Sequence, residues 1–536
     1  MDARVSEPAR LPRSCDVAII GAGVGGLVAA ALLARAGLAV CVLEAANKPG
    51  GLLAGFTRRG FVFDTAVHWL NQCGPDGLVR RIFEGARQDA PATPQMKRIR
   101  RYRGEGFDYL LTHQPDDLLD TLLGSFPEDR DGLLAFFAAA RTLGEAFGRF
   151  GVNMRASQTM TFREKVRTLW RMTAAGRPFL RFVGVPAENG LRRFFRGPIL
   201  EQMWRAESGL IACLMPVAWA YAGDFQRPPA GGSQRLPAWL AEICRNAGGL
   251  IACGKGAARI AVDGGRAVAV RYATDEGSAD GGEIRCRHVI AACDAGTVYR
   301  DLLPENAVGR RLRKRMDRAE VYDSAVSVFL GLSSPATDLG FEEELVHITR
   351  GGIKRGDHTS GDPAMSEINL MVPSMLDPTL APPGKATLIL HTAARIGQNE
   401  VWRTGPGLER GEAYEELKRR YADVLIDRVE RTLGVDLHSR VEVCEVATPV
   451  TYGRFTGNRD GAIMGFKPTR SNMRAGIARR TTPVPNVLIG GQWAEVGGGL
   501  PAAVRAGANA AAIILRDEQP AAFASLREIM DGGTGK

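Results

Sequence analysis

Four glycines fall within six residues at Gly21-Ala22-Gly23-Val24-Gly25-Gly26, between a short apolar run and a long Ala/Leu-rich one. Gly21, Gly23 and Gly26 fit G-x-G-x-x-G. The first glycine permits a tight turn, the second lets a pyrophosphate approach the backbone, and the third allows close helix–strand packing. Asp16–Ile20 has the composition of a buried parallel strand. Val24–Ala36 reads as a helix closed by Gly37, and Leu38–Leu43 as a second strand. Glu44 follows at the distance where a carboxylate takes ribose hydroxyls, and its charge disfavours a 2′-phosphate. Gly21 and Gly25 also spell G-x-x-x-G, the pattern of packed transmembrane helices. Asp16, Arg35 and the strand-like ends favour a strand–turn–helix–strand dinucleotide site over that reading.

Composition narrows the class. The 536 residues are 45% hydrophobic and 24% charged, those of a globular protein of two or three domains or one interleaved fold. None of the nine cysteines forms C-x-x-C, and their scatter fits a reducing compartment. The first residues lack the apolar core of a signal peptide and no clean run of about twenty apolar residues occurs, so a cytoplasmic protein is expected. No H-E-x-x-H, metal-spaced Cys/His cluster or G-x-S-x-G at a strand end is present, so no metal site is expected. Net charge is +10, yet between Arg155 and Arg196 ten Arg or Lys face only Glu164 and Glu188. Aromatic and aliphatic residues interleave with them, which suits an interfacial helix or hairpin on an anionic membrane as well as it suits a solvated basic face. No nucleic-acid module accompanies the patch, so nucleic acid is not an expected partner.

After Glu44 the chain continues with Gly50-Gly51, then Gly60-Phe61-Val62-Phe63-Asp64-Thr65-Ala66-Val67-His68-Trp69. A second glycine pair so close to Glu44 is understandable if backbone must pass near a cofactor larger than a nicotinamide dinucleotide. Together these phrases resemble the FAD-dependent phytoene desaturase, carotenoid isomerase and retinol saturase family of amine-oxidase-like flavoproteins. Phe63–Trp69 looks more like the saturase and isomerase branch. One departure is Leu52, where many members carry Arg.

Further on, Pro229-Ala230-Gly231-Gly232-Ser233 opens a helix at Leu236–Asn246. Strands follow at Leu250–Cys253, Ala257–Val262, Ala267–Tyr272 and Glu283–Cys286, then a buried one at His288–Ala292. Val326–Leu332 and Thr387–Thr392 read as strands, Arg350–Glu367 as an exposed loop, and Gly411–Leu433 as an amphipathic helix ended by Gly434. Ala447-Thr448-Pro449, Arg454-Phe455-Thr456-Gly457 and Gly461-Ala462 match further family phrases. Gly490-Gly491-Gln492-Trp493 and Gly497-Gly498-Gly499-Leu500 then form a second glycine turn feeding a small-residue helix at Ala502–Leu515, suited to backbone contact with a cofactor. Gln492 stands where the family often has Asp.

The resemblance implies an α/β fold. A Rossmann-type FAD-binding domain assembled from 14–80, 226–300 and 440–516, with a β-hairpin layer, interleaves with an α+β substrate domain at 81–225 and 301–439. Residues 1–13 and 517–536 are then tails. Gly21, Gly23, Gly25, Gly26, Glu44, Gly50, Gly51, Ala257, Gly491, Gln492, Gly498, Gly499 and Leu500 would hold FAD. His68 is the one titratable group placed by motif near the flavin, as proton donor or substrate contact. Trp69, Tyr452 and Trp493 would flank the substrate. The implied chemistry is desaturation, saturation or flavin-dependent isomerisation at carbon–carbon bonds of a hydrophobic polyene or isoprenoid, with an external electron acceptor or donor left open. Peripheral contact with the inner face of a membrane would give access to it. Two alternatives stand beside this reading: a flavoenzyme tailoring a soluble secondary metabolite, and a non-catalytic flavin-binding scaffold.

Overall fold

A computed structural model describes residues 11–151, 155–204, 209–273, 281–352, 362–396, 402, 404 and 409–532. Its strands, in chain order, are β1 (Ser14–Ile20), β2 (Val40–Leu43), β3 (Phe56–Arg58), β4 (Phe61–Phe63), β5 (Arg98–Gly104), β6 (Phe107–Thr112), β7 (Leu250–Ala252) and β8 (Ala257–Asp263). They continue as β9 (Arg266–Tyr272), β10 (Gly282–Ala291), β11 (Ser324–Leu332), β12 (Leu345–Ile348), β13 (Ile368–Met371), β14 (Ala386–Ala394), β15 (Val441–Ala447) and β16 (Val487–Ile489).

One sheet runs β7-β2-β1-β10-β9-β8, with β16 also on β10. The β7, β2, β1, β10 and β16 strands are parallel, and the β8–β9 hairpin joins antiparallel to the start of β10. Alternation explains why β1 and β2 read as unbroken apolar runs. Val17, Ile19, Val40 and Val42 point into one core, under the helices Val24–Arg35, Arg235–Asn246 and Gly499–Glu518. Ala18, Ile20, Cys41 and Leu43 point into a second core on the opposite face, with Ile260, Val270 and Tyr299. A parallel sheet covered on both faces has no polar side to show.

The second sheet, β15-β11-β14-β13-β12-β5-β6, is antiparallel apart from the β12–β5 pair. Val326, Val328 and Leu330 of β11 face the helix Glu412–Leu433, meeting Tyr414, Tyr421, Leu425 and Val429. That helix ends at Gly434 in the left-handed conformation, as its sequence leads one to expect. The alternate positions of β11 and β14 turn the other way, where Phe329 and Ile389 meet Phe61 and Phe63. This inward face, opposite the first sheet, is where the site lies.

Three sequence expectations are corrected. The expected strands at 283–286 and 288–292 are one strand, β10 (Gly282–Ala291), whose first half lies in the hairpin layer and which pairs β1 along most of its length. Residues 441–447, assigned to the nucleotide-binding unit, pair with β11 of the second sheet. The expected tail at 517–536 contains a docked helix, Pro520–Asp531, with Leu526 and Met530 buried and Asp531 ion-paired with Arg155 at 3.1 Å. Proline supplies its start, and Phe523, Leu526 and Met530 its apolar stripe. Of the loop expected at 350–367, residues 353–361 lie outside the described residues.

Candidate active site

β1 ends at Ile20 and the chain turns through Gly21, whose N–H donates to the Leu43 carbonyl at 2.8 Å. The Glu44 carboxylate at the end of β2 accepts from the backbone N–H of Ala22 at 2.6 Å and of Ala46 at 2.8 Å. Each of its oxygens keeps a further lone pair. Gly50 donates to the Ala22 carbonyl at 2.9 Å, so the 50–51 glycine pair lies against the first turn, with Gly50 bridged to Gly23. Lys255 donates to the Glu44 carbonyl at 2.8 Å, which brings the start of β8, and with it Ala257, beside Glu44.

The far C-terminal glycines return to the same place. Gly490 donates to the Ala291 carbonyl at 2.9 Å, beside the first turn of the helix Val24–Arg35. Gly497, Gly498 and Gly499 carry φ values of +98°, +65° and +80°, a run of left-handed backbone that only glycine adopts without strain. A side chain on Gly498 would press on the backbone N of Gly465 and approach Gln492 Oε1. Leu500 is buried in the first turn of the helix that follows.

Glycine roles divide in a way the motif does not reveal. A side chain at Gly23 would meet nothing within 4 Å, so open space faces it, whereas one at Gly25 would strike the carbonyls of Gly490 and Ala503. Gly26 is closed against Gly21 and Ala292. Gly25 therefore serves a helix crossing, while Gly23 fronts the opening. Both helices, Val24–Arg35 and Gly499–Glu518, start at glycine with neither a side-chain cap nor an acidic residue in the first turn. Their leading N–H groups and positive dipole ends suit anionic phosphate. With Glu44 for a ribose and a backbone-lined C-terminal turn, these residues fit an extended dinucleotide.

Glu495 anchors that turn. Its carboxylate, 5% exposed, accepts from Arg505 Nε at 2.8 Å and Arg480 at 2.7 Å. Burial opposes its charge, but the two guanidiniums and their hydrogen bonds outweigh it and hold its carboxyl below the usual range.

A narrow cavity is lined by Asp64, Val67, His68, Met96, Leu345 and Met371, among others. Asp64 accepts from both the N–H and the hydroxyl of Ser233 at 2.8 Å, pinning the 231–233 turn. Burial pushes its pKa up to about 6 against those bonds. His68 Nε2 is buried with no hydrogen-bond partner among the described residues. Burial, with His391 nearby, holds the His68 imidazole well below its ordinary pKa, and the ring centroids lie 5.5 Å apart. Trp69 lines a smaller adjoining cavity with His68 and Phe225.

Tyr452 and Trp493 have their polar atoms occupied. The Tyr452 hydroxyl bonds the Thr65 carbonyl and Ser327 Oγ, each at 2.8 Å. Trp493 is buried edge-on to Phe466, and its indole N–H donates to Asn458 at 3.2 Å. Sequence reasoning missed Ser327 and His391. A polar residue interrupting an otherwise apolar buried strand, as in SAVSVFLGL and ATLILHTAA, is the signal that marks them.

Over residues 24–515 the chain matches the flavin-containing amine oxidoreductase family. It is 24% identical to an all-trans-retinol 13,14-reductase of Danio rerio, over 98% of this chain and 90% of that protein. A chloroplastic prolycopene isomerase of Daucus carota is 24% identical over 85% of this chain and 72% of its own length. A lycopene-forming phytoene desaturase of Paracoccus sp. (strain N81106 / MBIC 01143) is 24% identical over 95% and 99%. In fold, the chain superposes on a putrescine oxidase variant with TM-score 0.59 at 15% identity, covering 94% of this chain and 99% of that one. An oxidoreductase from Methanosarcina mazei gives 0.57 at 15% identity, over 94% and 100%.

Proposed function

The chain belongs to the flavin-containing amine oxidoreductases and is an FAD-dependent oxidoreductase, and on that premise we propose that it acts on carbon–carbon bonds of a hydrophobic polyene or isoprenoid, of the carotenoid or retinoid class. The observation that carries the reading is the match, over most of the chain, to relatives named for reduction, isomerisation and desaturation of such molecules. Val67, Met96, Leu345 and Met371 give the cavity apolar walls suited to such a substrate, and Asp64, Glu343, Glu344 and Asp377 share the lining.

Bound FAD supplies hydride transfer. Gly21, Gly23, Glu44 and the first turn of the helix Val24–Arg35 would hold its nucleotide half. Gly491, Gln492 and the 497–500 turn would hold the flavin half. The chain's own task is to orient one bond of a long substrate and to keep water away from it.

Peripheral membrane contact belongs to the same proposal. Among the described residues no helix is long and apolar enough to cross a membrane. The helix Phe162–Gly176, however, exposes Phe162, Val166, Leu169 and Trp170, at 81%, 53%, 68% and 73%. The spacing i, i+4, i+7, i+8 places them on one stripe, flanked by Arg163, Lys165, Arg167 and Arg171. Leu180, 74% exposed, extends it between Arg177 and Arg181. Such a surface fits the anionic inner face of a bilayer, with apolar side chains in the headgroup boundary and guanidiniums on phosphates.

Expression in a carotenoid-producing host, followed by pigment chromatography, tests the reaction. A changed set of double bonds is the expected result. Unchanged pigments, together with turnover of a soluble metabolite, would replace this reading with a tailoring enzyme.

A further inference from the structure

Counting hydrogens along one buried chain of contacts fixes the state of a histidine. Ser327 on β11 and His391 on β14 are directly opposed in register on the inward face, with Ser327 Oγ 2.9 Å from His391 Nδ1. Tyr452 Oη lies 2.8 Å from Ser327 Oγ and donates to the Thr65 carbonyl. That carbonyl has no hydrogen to give, so it takes the single Tyr452 proton. Tyr452 therefore accepts from Ser327, whose only proton is then spent, and Ser327 must accept from His391 Nδ1–H. Burial lowers the His391 pKa to about 4, so at neutral pH the ring is uncharged and carries that one N–H. His391 Nε2 is left with a bare lone pair.

The neighbouring ring completes the arrangement. His68 projects into both cavities, and its buried Nε2 has no partner among the described residues. A buried ring nitrogen left without a partner is costly, and it leaves His68 Nε2 free to meet a bound molecule. The rings stand at 66° with centroids 5.5 Å apart, close enough that a charge on one opposes a charge on the other. Other ionisable groups face the cavities without contacting His68. Asp64 is held by Ser233, Glu344 pairs with Arg98 at 2.7 Å, and Asp377 accepts from Gly231 at 2.6 Å. Glu343 lines the larger cavity and Arg100 the smaller.

We propose that His68 and His391 form a single-proton site in the substrate cavity, with His68 the catalytic acid–base and Ser327 and Tyr452 the positioning residues that fix the His391 tautomer. The proposal rests on the carbon–carbon bond chemistry above. A substrate that loses hydride to FAD from one carbon must lose a proton from the next for a double bond to form. The electrons of that second C–H bond become the π bond, and the proton goes to His68 Nε2. For saturation the balance would reverse, one carbon taking a proton from His68 and the other a hydride from the reduced cofactor, a direction that the lowered pKa of the buried ring disfavours. The lone pair of neutral His391 tolerates the transient positive charge on His68, whereas a protonated His391 would forbid it.

Long-range ¹H–¹⁵N correlation spectra of histidine-labelled, FAD-loaded protein at neutral pH test the wiring without turnover. The expected result is His391 protonated at Nδ1 and bare at Nε2, with Ser327→Ala losing that preference. A His391 protonated at Nε2 in the wild type overturns the proposal. For chemistry, His68→Gln is expected to lower kcat on the accepted polyene at least ~100-fold while flavin absorbance shows FAD retained. Ser327→Ala is expected to move the acidic limb of the kcat–pH profile. A His68→Gln enzyme within tenfold of wild type also overturns the proposal. Absence of turnover on any polyene removes the functional reading and the catalytic half with it, while the tautomer spectrum still decides the wiring.

Discussion

Gly507 lies directly against Gly25: a methyl group on Gly507 would overlap the Gly25 carbonyl oxygen. Through this contact the two helices that begin at the dinucleotide cradle cross at backbone distance, which fixes the spacing of their first turns. Gly507→Ala is expected to force the helices apart, at about 1–3 kcal/mol, the usual cost of overpacking. Thermal denaturation with flavin absorbance will show a lowered Tm together with loss of bound FAD. A stable variant that retains full FAD would mean that the crossing does not set the cradle.

Glu495 joins the C-terminal turn to its helix through Arg505 and Arg480. Glu495→Gln leaves buried guanidinium charge without its counter-ion and is expected to cost about 3–5 kcal/mol. The folded-state pKa of Glu495 lies below its unfolded value of 4.5. Its contribution is therefore present above about pH 4.5 and disappears as pH falls through the folded value. Urea titrations at neutral and acidic pH will show the difference between wild type and variant shrinking on the acid side.

Asp224 carries the opposite sign. Burial raises its pKa from 3.8 to about 7, against its bonds from Gln72 N–H and Asn71. A carboxyl with a raised folded pKa contributes fully below the unfolded value, and that contribution is lost as pH climbs through the folded one. Asp64, raised to about 6, adds to the same slope. Asp224→Asn is expected to gain on wild type between pH 4 and 8, by on the order of a few kcal/mol. Equal pH dependence of the two proteins in urea titrations would show that Asp224 does not titrate in this window.

The apolar stripe at 162–170 predicts binding to vesicles containing anionic lipid. Flotation of the wild type should be lost when Phe162, Leu169 and Trp170 are replaced by Ser, and weakened by salt or by neutral lipid. Indole fluorescence should shift to the blue on binding, and Trp170→Phe should abolish that shift. Flotation unaffected by the triple replacement would place any membrane contact elsewhere.

The local backbone from Ile20 to Glu44 is legible residue by residue. Strand, glycine turn, helix and Glu44 are contiguous, so local spacing carries the geometry of Ile20 to Glu44. The glycine run at 497–499 was readable for the same reason, since three consecutive left-handed residues admit little else. The long helix Glu412–Leu433 followed from its apolar period and terminal glycine. Less legible were β5 and β6, whose Arg-rich alternation gives a weak apolar signal, and the docked helix at 520–531.

The inward-facing polar chain was out of reach. Ser327, His391 and Tyr452 stand on two strands and a helix, Thr65 in the loop after β4, and no sequence interval relates them. Gly25 shows the same limit within a motif. It stands at a variable position of G-x-G-x-x-G and the family resemblance counts it with the cofactor glycines, but it packs against Gly490, Ala503 and Gly507, nearly five hundred residues away. Spacing along the chain determines local backbone conformation, and with it the cofactor class. Which side chains share a proton depends on strand register and on the crossing of helices, and these are set by packing between distant segments.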